Sequence, residues 1–191
     1  EAILQAWYPG QQGGKAVAEV LFGDYNPAGK LPVTFYRNVS QLPDFEDYNM
    51  TGRTYRYMQD VPLFPFGYGL SYTTFGYGKT VLDKNELTAG QSLKLTVPVT
   101  NTGKRNGEEV VQVYLRKQGD AEGPIKTLRA FKRVSIPAGK TVNVEFDLKD
   151  KELEWWDDQS NTVRVCPGNY DIMVGGSSKE EDLQRTTIAI K

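Results

Sequence analysis

The sequence predicts a mainly β protein. Its C-terminal part reads as a seven-stranded immunoglobulin-like sandwich, preceded by a helix–strand remnant of an α/β layer and a long aromatic strap. Three observations carry that reading. From about Lys79 onward apolar residues recur with a period of two. Turn signals at Asn101-Thr102-Gly103, Pro137-Ala138-Gly139, Pro167-Gly168-Asn169 and Gly175-Gly176 cut the alternation into strand-length pieces. Finally, 16 of the 22 aromatic residues and six of the ten prolines fall in residues 1–77, which sets a boundary near Gly76–Lys79. The expected division is 1–35 for the α/β remnant, 36–76 for the strap and 77–191 for the sandwich.

In chain order, Gln12–Phe22 is a run of helix formers with Ala16, Val17, Val20 and Leu21 on one side, and Gly23 suits a left-handed cap. Asn26-Pro27-Ala28-Gly29 is turn chemistry, and Leu31–Phe35 reads as a short apolar strand. Pro32 cannot donate to a ladder, so that strand belongs at an edge or starts late. One helix and one strand cannot bury a core alone. Residues 36–76 show neither period, and their aromatic content argues for an ordered strap on a protein surface rather than a disordered linker.

Seven strands follow, at Thr80–Leu82, Leu93–Thr100, Val111–Leu115, Leu128–Val134, Val142–Leu148, Tyr170–Val174 and Ile188–Ile190. Their number and size suit an immunoglobulin-like sandwich. Pro98 interrupts its strand and points to an edge position, and Tyr170 sits where a tyrosine corner would occur.

Composition narrows the chemistry. The 191 residues carry a net charge of −1, which argues against a broad polyanion surface and so against nucleic acid as a partner. No apolar run approaches a membrane span, so no membrane partner is expected. Histidine is absent, which removes Ser–His–Asp and Cys–His nucleophilic arrangements and most zinc sites. The single Cys166 excludes an internal disulfide and a thiolate metal cluster. Carboxylates, tyrosines and lysines are left as the available catalytic side chains. The chain begins at Glu1 rather than methionine and shows no signal-peptide pattern, which suggests a piece of a longer protein.

Carboxylates cluster at Asp44, Glu46 and Asp47, at Glu108 and Glu109, at Glu152, Glu154, Asp157 and Asp158, and at Glu180–Asp182. Paired carboxylates can serve a glycosidase, but solvated loops account for each cluster as well. Asp44–Asp47 is the most suggestive because it abuts the strap. No calcium-loop spacing is present. Tyr55, Tyr57, Trp155 and Trp156 are candidate sugar-contact aromatics, although packing between domains accounts for them more readily. Arg53 and Arg56, interleaved with Tyr55 and Tyr57, suit ion pairs and stacking that tie the strap down. Asn38-Val39-Ser40 and Asn49-Met50-Thr51 are glycosylation acceptors only on a eukaryotic secretory route. Gly13-Gly14 follows no strand and makes a poor phosphate loop.

Three stretches resemble a known family. Ala6-Trp7-Tyr8-Pro9-Gly10-Gln11 with Gly13-Gly14 and Leu21–Phe35 is similar to the end of the α/β sandwich domain of family 3 glycoside hydrolases. Gly52–Tyr57 and Pro65–Phe75 are similar to the segment leading into that family's fibronectin type III-like domain. Val99–Gly103 and Glu109–Leu115 are similar to that domain's early strands. The resemblance covers essentially the whole chain. It implies retaining, exo-acting β-glucosidases and β-xylosidases, with a periplasmic or secreted parent. The implied reaction is a double displacement, with an aspartate nucleophile from an N-terminal barrel and a glutamate acid/base from the α/β domain. No stretch here matches either, and Glu1 is not assigned the acid/base role.

The resemblance therefore implies no catalytic residue, no cofactor and no metal site in this chain, and a supporting role for the sandwich. The implied partners are the parent's own barrel and α/β domains and its β-linked oligosaccharide substrate. The stretch Gln41–Tyr48 leans toward the β-xylosidase side of the family. Two further expectations are a carbohydrate-binding module built on Trp155, Trp156 or the strap tyrosines, and an adhesion role suggested by the sandwich alone. Self-association through Leu31–Phe35 or the Gln12–Phe22 helix is expected where an α/β edge is left uncovered.

Overall fold

The computed structural model describes residues 2–191, so Glu1 lies outside the described residues. The elements are α1 (Gly13–Phe22), α2 (Thr54–Tyr57), β1 (Phe75–Tyr77), β2 (Val81–Leu82), β3 (Glu86–Leu87), β4 (Leu93–Asn101), β5 (Gly107–Lys117), β6 (Thr127–Ile136), β7 (Thr141–Leu148), α3 (Asp150–Leu153), β8 (Trp155–Asp157), β9 (Thr162–Arg164), β10 (Gly168–Gly175) and β11 (Gln184–Ile190). In one sheet β4 is central, with β7 on one side and β1 and β2 in succession on the other. The second sheet runs β3-β11-β10-β5-β6 and is antiparallel apart from the β3–β11 pair. A small β8–β9 hairpin stands apart from both.

All seven expected strands are present, and the alternation sets their faces. Leu93, Leu95, Val97 and Val99 of β4 meet Val111, Val113 and Leu115 of β5 and Tyr170, Ile172 and Val174 of β10 in one core. Burying each such aliphatic side chain is worth about 1.5–3 kcal/mol, so this layer supplies most of the driving force. The sequence reading lacks β1, β3, β8 and β9. Each is two or three residues long, too short to show a period of two, and β1 straddles the boundary set between strap and sandwich.

Pro98 is not at an edge. It lies in the central strand β4, opposite Asn143 of β7. Its carbonyl accepts from Gly78 N at 2.8 Å on the other side, and the N–H that proline lacks would face that same side. There the neighbouring strand is broken between β1 and β2, so no ladder bond is forfeited. Leu31–Phe35 is likewise no strand. Leu31 N donates to Tyr68 O at 2.8 Å and Phe35 N to Phe64 O at 2.9 Å, leaving one isolated bridge between Phe35 and Phe64. Pro32 on one side, with Pro62 and Pro65 on the other, removes the donors a longer ladder would need. Helix α1 forms as expected and ends at Gly23, whose φ of 82° is the left-handed cap.

Tyr170 makes the corner. Its hydroxyl donates to Cys166 O at 2.9 Å, and burial pushes its phenol above the usual range, with Cys166 adding to the rise.

Candidate functional site

The strap covers the outer face of the five-stranded sheet where Gln112 and Tyr114 lie. Tyr55, on α2, stacks on Phe66 with ring centroids 4.2 Å apart and meets Tyr114 of β5 edge to face at 5.9 Å. Its hydroxyl accepts from Leu128 N at 3.1 Å, and Arg56 O accepts from Ile125 N at 2.7 Å, so α2 is bound to the start of β6. Gln112 is the central bolt. Its amide donates to Gly67 O at 3.2 Å and Gly176 O at 2.5 Å, while Tyr114 Oη donates to Gln112 Oε1 at 2.5 Å. Gly67 has φ +78°, and any Cβ there would overlap the Gln112 amide, so glycine is required twice over. Burial pushes Tyr114 well above the ordinary phenol range, with a smaller contribution from Tyr55.

Two groups of buried charge flank this seam. Glu109 is held by Lys30 at 3.2 Å and by the Tyr77 hydroxyl, which donates at 2.8 Å, joining the N-terminal segment to β1 and β5. Burial first and Glu109 second push Tyr77 far up. Buried Lys126 donates to Ser178 O at 2.8 Å and to Glu180 at 2.7 Å, and Glu180 also pairs with Arg185. Asp171 accepts from Gln118 at 2.7 Å and Thr187 at 3.0 Å beside Arg185. A groove of about 650 Å³ runs between the strap and these charges, with Tyr55, Phe64, Tyr68, Arg37, Arg116 and Lys126 among its walls.

The Asp44–Asp47 carboxylates close local turns: Asp44 accepts from Glu46 N at 3.0 Å and Asp47 from Asn49 N at 2.9 Å. The Asn49 backbone bond holds Asp47 below its usual range. Bonds from Ser160 and Arg164 hold Asp157 down at about 2. Burial pulls Glu180 upward, but Lys126 and Arg185 outweigh it and leave it low. Each displacement is away from the raised value a general acid needs. Among the described residues no cluster of three metal-ligating side chains exists.

The candidate aromatics separate by burial. Trp155 is buried, donates Nε1 to Asp120 at 2.6 Å and packs edge to face on Tyr170. Tyr55, itself in the strap, packs between Phe66 and Tyr114, and Tyr57 is covered by Arg56 at 5.5 Å. Only Trp156 is half-exposed, with Nε1 tied to Asp158 at 2.8 Å. Arg53 closes the 44–53 loop by donating Nε to Asn49 O at 2.8 Å.

Sequence reasoning missed the buried polar residues. Gln112 was legible only as the far side of an alternating strand. Asn101, read as a turn residue, is a satisfied knot: its amide donates to Arg105 O and Ile136 O and accepts from Thr73 Oγ1 and Gly103 N.

Exposed apolar side chains are frequent in the N-terminal segment: Ile3, Trp7, Tyr8, Leu21 and Phe22, with Phe22 85% exposed. A second group lies on the strap loop at Phe45 and Tyr48, where a hollow of about 540 Å³ also takes in Tyr36 and Leu42. Patches of this kind mark contact surfaces.

Residues 1–72 match the family model described as glycosyl hydrolase family 3 C-terminal domain, and residues 109–178 match the fibronectin type III-like domain. The chain is 55% identical over 190 residues to a xylan 1,4-beta-xylosidase of Xylanibacter ruminicola, covering all of this chain and 22% of that protein. It is 38% identical to a periplasmic beta-glucosidase of Salmonella typhimurium, covering 93% of this chain and 25% of that one. Among solved structures, a β-glucosidase from Erythrobacter marinus superposes with a TM-score of 0.82 at 42% identity, over 97% of this chain and 25% of the other. The chain thus spans about a quarter of the length of the relatives it matches.

Proposed function

Because the chain belongs to glycosyl hydrolase family 3 as its C-terminal domain and adjoining fibronectin type III-like domain, we propose that it is the non-catalytic C-terminal part of an exo-acting β-glycosidase. In this reading residues 1–35 complete an α/β domain, 36–76 fasten it, and 77–191 form the supporting sandwich. The observation that carries it is the contrast between a sandwich whose core is closed and an α1 face whose Leu21 and Phe22 have no cover.

The parent's substrate reads as a terminal β-xyloside, with β-glucoside second, on the 55% identity to a xylan 1,4-beta-xylosidase. Its partners are then the barrel and α/β domains of the same polypeptide. The test is release of nitrophenol from the β-xyloside and the β-glucoside. The 191-residue chain should release none, and the chain joined to its upstream domains should turn over the xyloside faster. Turnover by the short chain that a single Asp or Glu substitution abolishes would sink the proposal.

A further inference from the structure

We propose that the groove of about 650 Å³ between the strap and the sandwich binds a neutral, β-linked pyranose chain. The choice of xylose as its sugar rests on the glycosidase reading; the preference for an uncharged sugar rests on the groove alone. Alternation along β5 builds one wall. Gln112, Tyr114 and Arg116 share the outer face of the sheet, and the strap buries the first two and leaves Arg116 exposed. The opposite wall is the strap itself, from Met58 to Pro65 and at Tyr68, and the connection from Ser178 to Asp182 closes a third side. These walls are fixed to one another. Ser178 N donates to Phe66 O at 2.9 Å and Lys126 Nζ to Ser178 O at 2.8 Å. Phe64 stacks on Tyr68 with ring centroids 5.5 Å apart and meets Phe35 edge to face at 6.3 Å. A site held in this way loses little by ordering when it binds, and its volume falls within the range of small-molecule sites, about 300–1,000 Å³.

Two features select the ligand. The first is charge balance: the four lysine and arginine side chains of the walls are matched by four carboxylates, so the groove as a whole favours neither sign. An anion such as phosphate would meet Glu180, Glu181 and Asp182 as well as the arginines, and a wholly apolar ligand would strip water from these charges and return nothing. The second is the pairing of flat rings with unspent polar groups. A β-linked pyranose presents C–H groups on its faces and, around its rim, hydroxyls that both donate and accept. It needs an apolar ring beneath it and mixed donors and acceptors beside it. The partly exposed rings of Phe64 and Tyr68 supply the first. Among the described residues the Arg116 guanidinium and the Asp60 carboxylate have no hydrogen-bond or ion-pair partner, and both line the groove. Arg37 spends Nε on Val61 O at 3.2 Å, and Lys126 spends two of its three protons, on Ser178 O and Glu180. Donors and an acceptor are thus set along the rim of one stacking surface.

The test is titration of the 191-residue chain with xylotetraose, read by calorimetry and by the chain's amide resonances. Binding should be saturable with a Kd in the millimolar range or tighter, and it should hardly change between low and high salt, because the ligand carries no charge. The resonances of Val61, Arg116 and Ser178 should move, and those of the β8–β9 hairpin should stay. Tyr68→Leu keeps an apolar contact with Phe64 but removes the flat ring, and should weaken binding about threefold to tenfold. Arg116→Ala should weaken it by a similar factor, and with an exposed side chain bonded to nothing else it serves where Tyr68→Leu folds poorly. Free xylose in the titrated sample would report turnover, so a failure of the glycosidase reading is seen apart from a failure of this one. Absence of saturable binding would overturn the proposal and leave the groove as a packing surface for another domain. So would binding that Arg116→Ala leaves unchanged, or resonance changes confined to the hairpin and lost on Trp156→Ala, which would place the sugar there instead.

Discussion

The sandwich and the N-terminal segment obey the same physics and end in opposite states. Along β4 and β5 every second side chain is buried, and on the other face of β5 Gln112 and Tyr114 are buried too, because the strap lies on them. Along α1 the same kind of apolar residues, Leu21 and Phe22, face outward. An uncovered apolar helix face of this kind marks a contact surface. The difference lies in what surrounds each region, since both sequences encode burial.

The sharpest way to break that comparison is to truncate one residue in each region. Leu115→Ala removes a side chain that is 1% exposed in the core, and chemical denaturation should show a loss of about 2–5 kcal/mol. Leu21→Ala should change stability by no more than about 0.5 kcal/mol. A loss at Leu21 comparable to that at Leu115 would mean that α1 is already packed, and the contrast would fall.

The strap stands between the two regions, and Gly67 tests which side it belongs to. Gly67→Ala forces a Cβ onto the Gln112 amide at a positive φ, so about 2–3 kcal/mol should be lost. Limited proteolysis should then cut residues 36–66 first while the sandwich stays protected. Cleavage spread evenly over the chain would show that strap and sandwich unfold as one unit.

Tyr170→Phe sharpens the sandwich side alone. It deletes the bond to Cys166 O and leaves that carbonyl unmet in a buried place, which is worth about 1–2 kcal/mol by equilibrium unfolding. An unchanged midpoint would mean that the corner is held by packing.

What the sequence made legible follows the same divide. Strands of seven residues or more announce themselves by alternation, and Gly23 and Tyr170 by the special geometry they need. Pro98 misled because a missing donor matters only on the side where a neighbour is present, and that neighbour's break was invisible in sequence. Leu31–Phe35 misled because its partner is the proline-bearing strap. The seam residues Gln112, Lys126 and Asn101 look like ordinary surface or turn residues until the segment that buries them is placed. The aromatic candidates Trp155 and Trp156 are adjacent in sequence, yet one is buried and the other half-exposed, a distinction set by the short β8–β9 hairpin.

The smallest effect concerns the charges at the mouth of the groove. Glu180 titrates below its ordinary value of 4.5 because Lys126 and Arg185 outweigh its burial. A carboxyl lowered in the folded state adds stability that is complete above the unfolded value and fades as pH falls through the folded one. The contribution should therefore be complete at neutral pH and fade as pH falls below the ordinary value of 4.5. Glu180 is more than half exposed, so solvent screening limits the pair to about 1 kcal/mol or less. Denaturation at pH 7 and pH 3 should show Glu180→Gln less stable than the parent at the first, with the gap narrowed at the second. Lys126 gives the complementary reading. It is buried and keeps Ser178 O as a partner when Glu180 is neutral, so a loss at pH 3 as large as at pH 7 would place the role of Glu180 in packing against the strap rather than in its charge.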